Sequence, residues 1–149
     1  MGLDHGFIHK KNREEEINYT FRKANHIHAY IINKFHNGVD DQKDFKIPIT
    51  GIEEFRDILN RVINSLENTP KKTIKVKSGW ANGQETYIDI EVFKDTSIAQ
   101  LLLPTQSGFF FGGTEYDDWY LKDCKEALEM CDKILTSKPK GTVTYWCWW

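Results

Sequence analysis

Ile52, Phe55, Leu59, Val62 and Leu66 recur at three- and four-residue steps between Thr50 and Pro70. That period puts all five on one stripe of an α-helix and obliges the chain to supply a surface that covers it. "TGIE" sets Glu53 three residues after Thr50, the spacing of a capping box, so the helix is expected to begin at Thr50. Pro70 ends it. A second helix is expected within "NYTFRKANHIHAYIINKFHNG". There Ala24, Ile27, Ile31 and Phe35 make the stripe, Phe21 and His28 fall beside it, and Asn37-Gly38 tolerate the left-handed backbone of a helix end. A third is expected after Thr114, with Thr114 as N-cap and Asp117 at the reciprocal position. Leu121, Cys124, Leu128, Cys131 and Leu135 are its expected buried stripe.

Elsewhere the period drops to two. "TIKVK" and "TYIDIEVF" alternate on either side of the turn-rich "SGWANGQ", which predicts a β-hairpin at about 73–93 with one face to solvent. "GFFFGG" reads as a short buried strand. "GTVTYWCWW" alternates Val143, Tyr145, Cys147 and Trp149, a further strand, and "GLDHGFIHK" is another candidate. "VDDQKDFKIP" reads as a polar connection. The 149 residues suit one domain. The expected class is α+β: about three helices packed on a mostly antiparallel sheet of about four to six strands.

Charge narrows the function. The net charge is -2. A domain that grips nucleic acid carries a basic surplus, so a nucleic-acid partner is not expected. No apolar run reaches the roughly 18 residues of a membrane span. "MGLDHGFIHKKNREEE" has no apolar core of a secretory signal. Cys124, Cys131 and Cys147 lack CxxC spacing and read as reduced thiols of a cytosolic protein. His5 and His9 with Asp4 fall on a strand or loop, where HxxxH is poorly arranged for a metal. Asp40, Asp41 and Asp44 lack the EF-hand pattern. No metal and no cofactor is expected.

"MGLD", "FRKANHIH" (Phe21–His28), "NGVDD" (Asn37–Asp41) and above all "LLPTQSGFFFGGTEYDDWY" (Leu102–Tyr120) resemble a family of small, uncharacterised proteins encoded by bacteriophages and prophages. The likeness runs through most of the chain in the same order. It implies a phage origin and action in the cytoplasm of the infected bacterial host, as a counter-defence or host-takeover factor. Relative to the compact family form, the hairpin at about 73–93 looks like an insertion. "TYWCWW" is richer in tryptophan than the family's usual end.

Two groups of candidate residues remain. "GFFFGGTEYDD" resembles a phosphate cradle, but Glu115, Asp117 and Asp118 occupy the first helical turn and would repel a phosphate. The ends of that stretch are better candidates for a small polar ligand: Thr105, Gln106 and Ser107 before it, Thr114, Glu115 and Tyr116 after it. Arg22, Asn25 and His28 join them, because Arg pairs bidentately with anions and Asn reads amide-like edges. The plainer alternatives are turn-capping hydroxyls and a hydrogen-bonded core histidine. GxSxG is absent, and no catalytic residue is assigned. Trp146, Trp148 and Trp149, with Trp80 on the hairpin, offer apolar surface on both faces of their strands, suited to a protein partner or to assembly of the chain with copies of itself. The expected function is a non-enzymatic binding protein that sequesters a small nucleotide-like defence signal. The alternative is a protein–protein inhibitor of a host defence complex.

Overall fold

The computed structural model describes residues 3–10, 16–106, 114–137 and 140–149. Their order is β1 (Asp4–Lys10), β2 (Glu16–Arg22), α1 (Asn25–Phe35), β3 (Phe45–Pro48), α2 (Ile49–Glu67), β4 (Lys71–Ala81), β5 (Gln84–Phe93), α3 (Ser97–Leu102), α4 (Asp118–Ser137) and β6 (Thr142–Trp148). One sheet has the order β2-β1-β6-β3 and the second is β4-β5, with every pairing antiparallel. The class is the expected α+β. The expected strand in "GFFFGG" lies outside the described residues.

Alternation builds the four-stranded sheet. Phe7 stands opposite Tyr19 on one side and Tyr145 on the other, and Ile47 stands opposite Val143. His5, Phe7, Phe21, Ile47, Val143, Tyr145 and Cys147 are buried on one face, whereas Asp4, Thr20, Lys46 and Trp148 are exposed. The helices cover the buried face. Ile27 and Ile31 of α1, Ile52, Phe55 and Leu59 of α2, and Cys131 and Ile134 of α4 have no exposed surface. Among the described residues no helix is long and apolar enough to cross a membrane.

Five local expectations are corrected. The first concerns the start of α1. Asn18–Arg22 belong to β2, because Tyr19 and Phe21 alternate toward the core and pair with β1; Lys23, at φ 58, turns the chain before α1 begins. Thr50 does not cap α2. The strand β3, hidden in the "polar" connection, runs straight into the helix through Pro48, and the Ile49 amide donates to the Gly141 carbonyl at 2.9 Å. A backbone acceptor thus does what the capping hydroxyl was expected to do. Thr114 does not cap α4 either. The Asp117 carboxylate accepts from the Tyr120 amide at 3.0 Å, and the helix starts at Asp118. Its buried stripe is Tyr120, Cys124, Ala127, Cys131 and Ile134, while Leu121, Leu128 and Leu135 flank it half-buried. Met130 is buried with that stripe.

The hairpin is longer and barer than its pattern suggested. Ser78–Ala81 continue β4, and only Asn82 and Gly83, at φ 53 and 76, make the turn. Val92 and Phe93 are buried, Ile90 is half-buried and Ile88 is exposed, so the hairpin is covered only at its base. There the Phe93 amide donates to the Tyr116 carbonyl at 2.9 Å, and Lys71 Nζ lies 2.7 Å from Asp118 Oδ1.

Candidate functional site

Helix α1 carries two polar constellations on opposite sides. His26 and His28 are two residues apart, about 200° around a helix. Both are buried.

His28 faces the sheet. Its Nδ1 lies 2.7 Å from Tyr145 Oη, and that oxygen is 2.8 Å from His5 Nδ1. On the other side His28 Nε2 lies 3.0 Å from Asp40 Oδ2. Trp149 Nε1 donates to Asp40 Oδ1 at 3.1 Å, and Cys147 Sγ is 3.9 Å from the same oxygen. The local sequence explains the convergence. Asn37 and Gly38, at φ 54 and 74, reverse the chain after α1, and the Gly38 amide returns to the Ile32 carbonyl. Asp40 is thereby delivered to the end of β6, where Tyr145 and Cys147 share a face. Burial holds His5 well below the usual histidine range, with His28 and His26 adding to the effect. Burial also lifts the Tyr145 hydroxyl well above its ordinary value and pushes the Cys147 thiol up to about 11, with Asp40, Asp44 and Asp41 adding. Tyr145 has no exposed surface, so this chain of groups cannot itself meet a substrate at that oxygen.

His26 faces a cleft of about 290 Å³ lined by His26, Ala29, Tyr30, Asn33, Lys34, Pro104 and Gln106. Ligand sites typically start near 300 Å³ and combine apolar walls with a few polar groups. The His26 ring lies 4.4 Å from that of Tyr120, and burial lowers its pKa to about 4, so it is neutral at pH 7. The Tyr30 ring stacks on Phe55 at 4.9 Å. The Tyr30 hydroxyl is buried and has no hydrogen-bond partner among the described residues. Burial, then the Glu54 carboxylate, pushes that hydroxyl up to about 12. Lys34 stands at the cleft with its Nζ 3.6 Å from Glu54 Oε2, both side chains exposed.

The sequence-derived candidates divide accordingly. Gln106 lines the cleft. The Thr105 amide donates to Tyr116 Oη at 3.1 Å, so the two ends of the "PTQSGFFFGGTEY" stretch do meet. Ser107 lies outside the described residues. Thr114 is exposed and Glu115 half-buried. Arg22, Asn25 and His28 do not form one helical face: Arg22 ends β2 with its Nε 3.9 Å from Asp4 Oδ1, Asn25 opens α1, and His28 turns to the sheet. Its partners are Tyr145 and Asp40. Trp80 and Trp148 are exposed, while Trp146 and Trp149 are half-buried, Trp146 Nε1 donating to Asn18 Oδ1 at 3.2 Å. Sequence reasoning missed His26, Tyr30, Asn33 and Lys34. The signal was present in their 3–4-residue spacing, on the flank of α1 beside Ile27 and Ile31. Cys124 and Cys131 are buried, free, and raised well above the usual thiol range by burial, which makes them inert.

Comparison with protein-family models, curated proteins and solved structures finds no match for the chain. The functional reading therefore stands on the geometry of the two sides of α1.

Proposed function

We propose that the chain is a non-enzymatic binding protein that holds a small, planar, nucleotide-like molecule in the cleft beside α1. The observation that carries this is the buried hydroxyl of Tyr30, a residue that lines the cleft, without a partner among the described residues. Buried polar groups are nearly always satisfied, and an orphan on a residue that lines a cleft invites a ligand atom. The surrounding groups suit a nucleobase: the His26 ring offers a π-face, and the Asn33 and Gln106 amides offer donors and acceptors. Lys34 is the cation at the cleft for a phosphate, which would compete with Glu54 for it. In the setting its sequence resemblance implies, the protein is a phage factor in the host cytoplasm that withdraws a nucleotide signal of bacterial defence.

The test is a melting screen against cyclic and linear nucleotides. A ligand at 100 times its Kd adds about 2.7 kcal/mol, a rise of about 5–10 °C for a chain of this size. Tyr30→Phe keeps the stack on Phe55 and deletes only the orphan hydroxyl. It is expected to weaken the hit about tenfold and to leave the ligand-free melting temperature equal or higher. A screen in which no nucleotide moves the melting curve rejects the reading.

One observation favours the protein–protein reading. Trp148 is 73% exposed on the sheet face that the helices leave bare. Trp148→Ala is expected to fold normally and to abolish capture of a stoichiometric host protein from a bacterial lysate. Capture unchanged by the substitution counts against this surface.

A further inference from the structure

We propose that His28, Asp40 and Cys147 form a binding site for a divalent transition-metal ion of the zinc class, with one coordination position open to water or an anion. One ligand atom from each residue lies within 4.8 Å of the other two. A tetrahedral ion with bonds of about 2.0–2.3 Å needs ligand atoms about 3.3–3.7 Å apart. Here His28 Nε2 and Asp40 Oδ2 are 3.0 Å apart, and Cys147 Sγ is 3.9 Å from Asp40 Oδ1. The two distances run to different oxygens of Asp40, and the three ligand atoms lie within 4.8 Å of one another, so shifts of up to about 1 Å, taken up by the exposed Asp40 carboxylate, would close the set around an ion. Mixed nitrogen, oxygen and sulfur donors select a borderline dication over calcium or magnesium.

The groups behind the ligands point the same way. Metal-bound histidines almost always hold their second nitrogen in a hydrogen bond, and ligating carboxylates are held in turn. Tyr145 Oη grips His28 Nδ1 at 2.7 Å, and Trp149 Nε1 grips Asp40 Oδ1 at 3.1 Å. Both are supplied by the strand that supplies Cys147 and by the residue after it, so the "TYWCWW" ending carries one ligand and both of these supports.

The His5–Tyr145–His28 chain can accept the ion with no net gain or loss of protons. With the rings uncharged and no ion, His5 Nδ1–H donates to Tyr145, Tyr145 donates to His28 Nδ1, and His28 Nε2–H donates to Asp40. Metal bonding needs the Nε2 lone pair. The His28 Nε2 proton then leaves to solvent, the two bridging protons shift so that His28 Nδ1–H donates to Tyr145 and Tyr145 donates to His5 Nδ1, and His5 Nε2 takes up one proton from solvent in place of the one released. That nitrogen is buried and has no partner among the described residues in either direction. The Cys147 thiol releases one proton to solvent as the Sγ–metal bond forms.

Cobalt(II), titrated into the chelator-treated protein, tests the site. One equivalent should produce a thiolate-to-cobalt charge-transfer band together with the strong visible bands of a tetrahedral ion, and zinc should abolish both. Cys147→Ser should remove the charge-transfer band. Asp40→Asn, on an exposed connection where folding is not at stake, should weaken binding at least tenfold. Tyr145→Phe retains every ligand and should weaken it 10–100-fold. No spectral change with cobalt overturns the proposal. So does a charge-transfer band that survives in Cys147→Ser, or a zinc-induced rise in melting temperature that is as large in Asp40→Asn as in the parent protein.

Discussion

Acidification from pH 6.5 to 4 is expected to strip several kcal/mol from the stability of this protein. His26 is buried and its pKa falls from 6.5 to about 4 in the fold, and burial holds His5 well below the same reference. In the unfolded chain both take up a proton below about pH 6.5, whereas the fold keeps them neutral. Stability is therefore complete above pH 6.5 and is lost as pH falls, because the unfolded state binds more protons. For His26 the loss amounts to about 3 kcal/mol by pH 4, against a typical total of about 5–15 kcal/mol. Asp123 works in the opposite direction. Burial raises its carboxyl to about 6, so its contribution is present in acid and fades as pH rises through 6. It is half-exposed to water, so the offset is partial. Urea titrations between pH 7.5 and 4, with chelator present to exclude metal linkage, measure the slope. His26→Phe retains a ring against Tyr120 and should reduce that slope by up to about 1.4 kcal/mol per pH unit, one proton's worth. An unchanged slope would show that His26 is already protonated in the fold.

The same two histidines show what the sequence reveals and what it hides. The stripes of α1 and α2 were legible because Ile27, Ile31, Ile52, Phe55, Leu59, Val62 and Leu66 obey a single period, and all are buried as that period demands. The hairpin and β6 were legible for the same reason at period two. Boundaries failed where a neighbour in space replaced a local signal. The Gly141 carbonyl met the Ile49 amide, so Thr50 had no capping to do. The pairing of Tyr19 with Phe7 drew a segment read as helix into β2. The candidate sites were harder still. The "GVDD" turn marked Asp40 as a carboxylate on a polar connection. Nothing local joined it to His28, twelve residues earlier, or to Cys147, 107 residues later. Only the sheet order β2-β1-β6-β3, which lays the last strand beside the first, brings His5, Tyr145 and Cys147 to one place. Gln106 was found by chemistry and the α1 residues that face it were not, because their polar side of the helix looked like a solvated one.

Gly6→Ala should be the most damaging small substitution in the sheet, and it should damage the site as well. Gly6 lies in β1 between Thr20 of β2 and Trp146 of β6. A Cβ there would overlap the Tyr19 carbonyl oxygen, lie 3.0 Å from the Tyr19 carbonyl carbon and come within 3.1 Å of Trp146 Nε1. The first two obstacles are backbone and cannot swing aside. Relief requires β1 and β2 to separate, which stretches their ladder of hydrogen bonds. We expect a loss of about 3 kcal/mol or more, at the upper end of overpacking costs. Gly83→Ala is the control. Gly83 has nothing within 4 Å of a new Cβ, but sits at φ 76, so its cost is conformational, about 1–2 kcal/mol, and stays in the hairpin turn. The two substitutions separate in a second readout. His5 is the immediate neighbour of Gly6, so displacing β1 pulls His5 Nδ1 from its 2.8 Å contact with Tyr145 Oη and loosens the support behind His28. Gly6→Ala should therefore weaken cobalt binding in whatever fraction remains folded, and Gly83→Ala should leave it unchanged. Equal cobalt affinities in the two variants would show that β1 accommodates the methyl without moving His5.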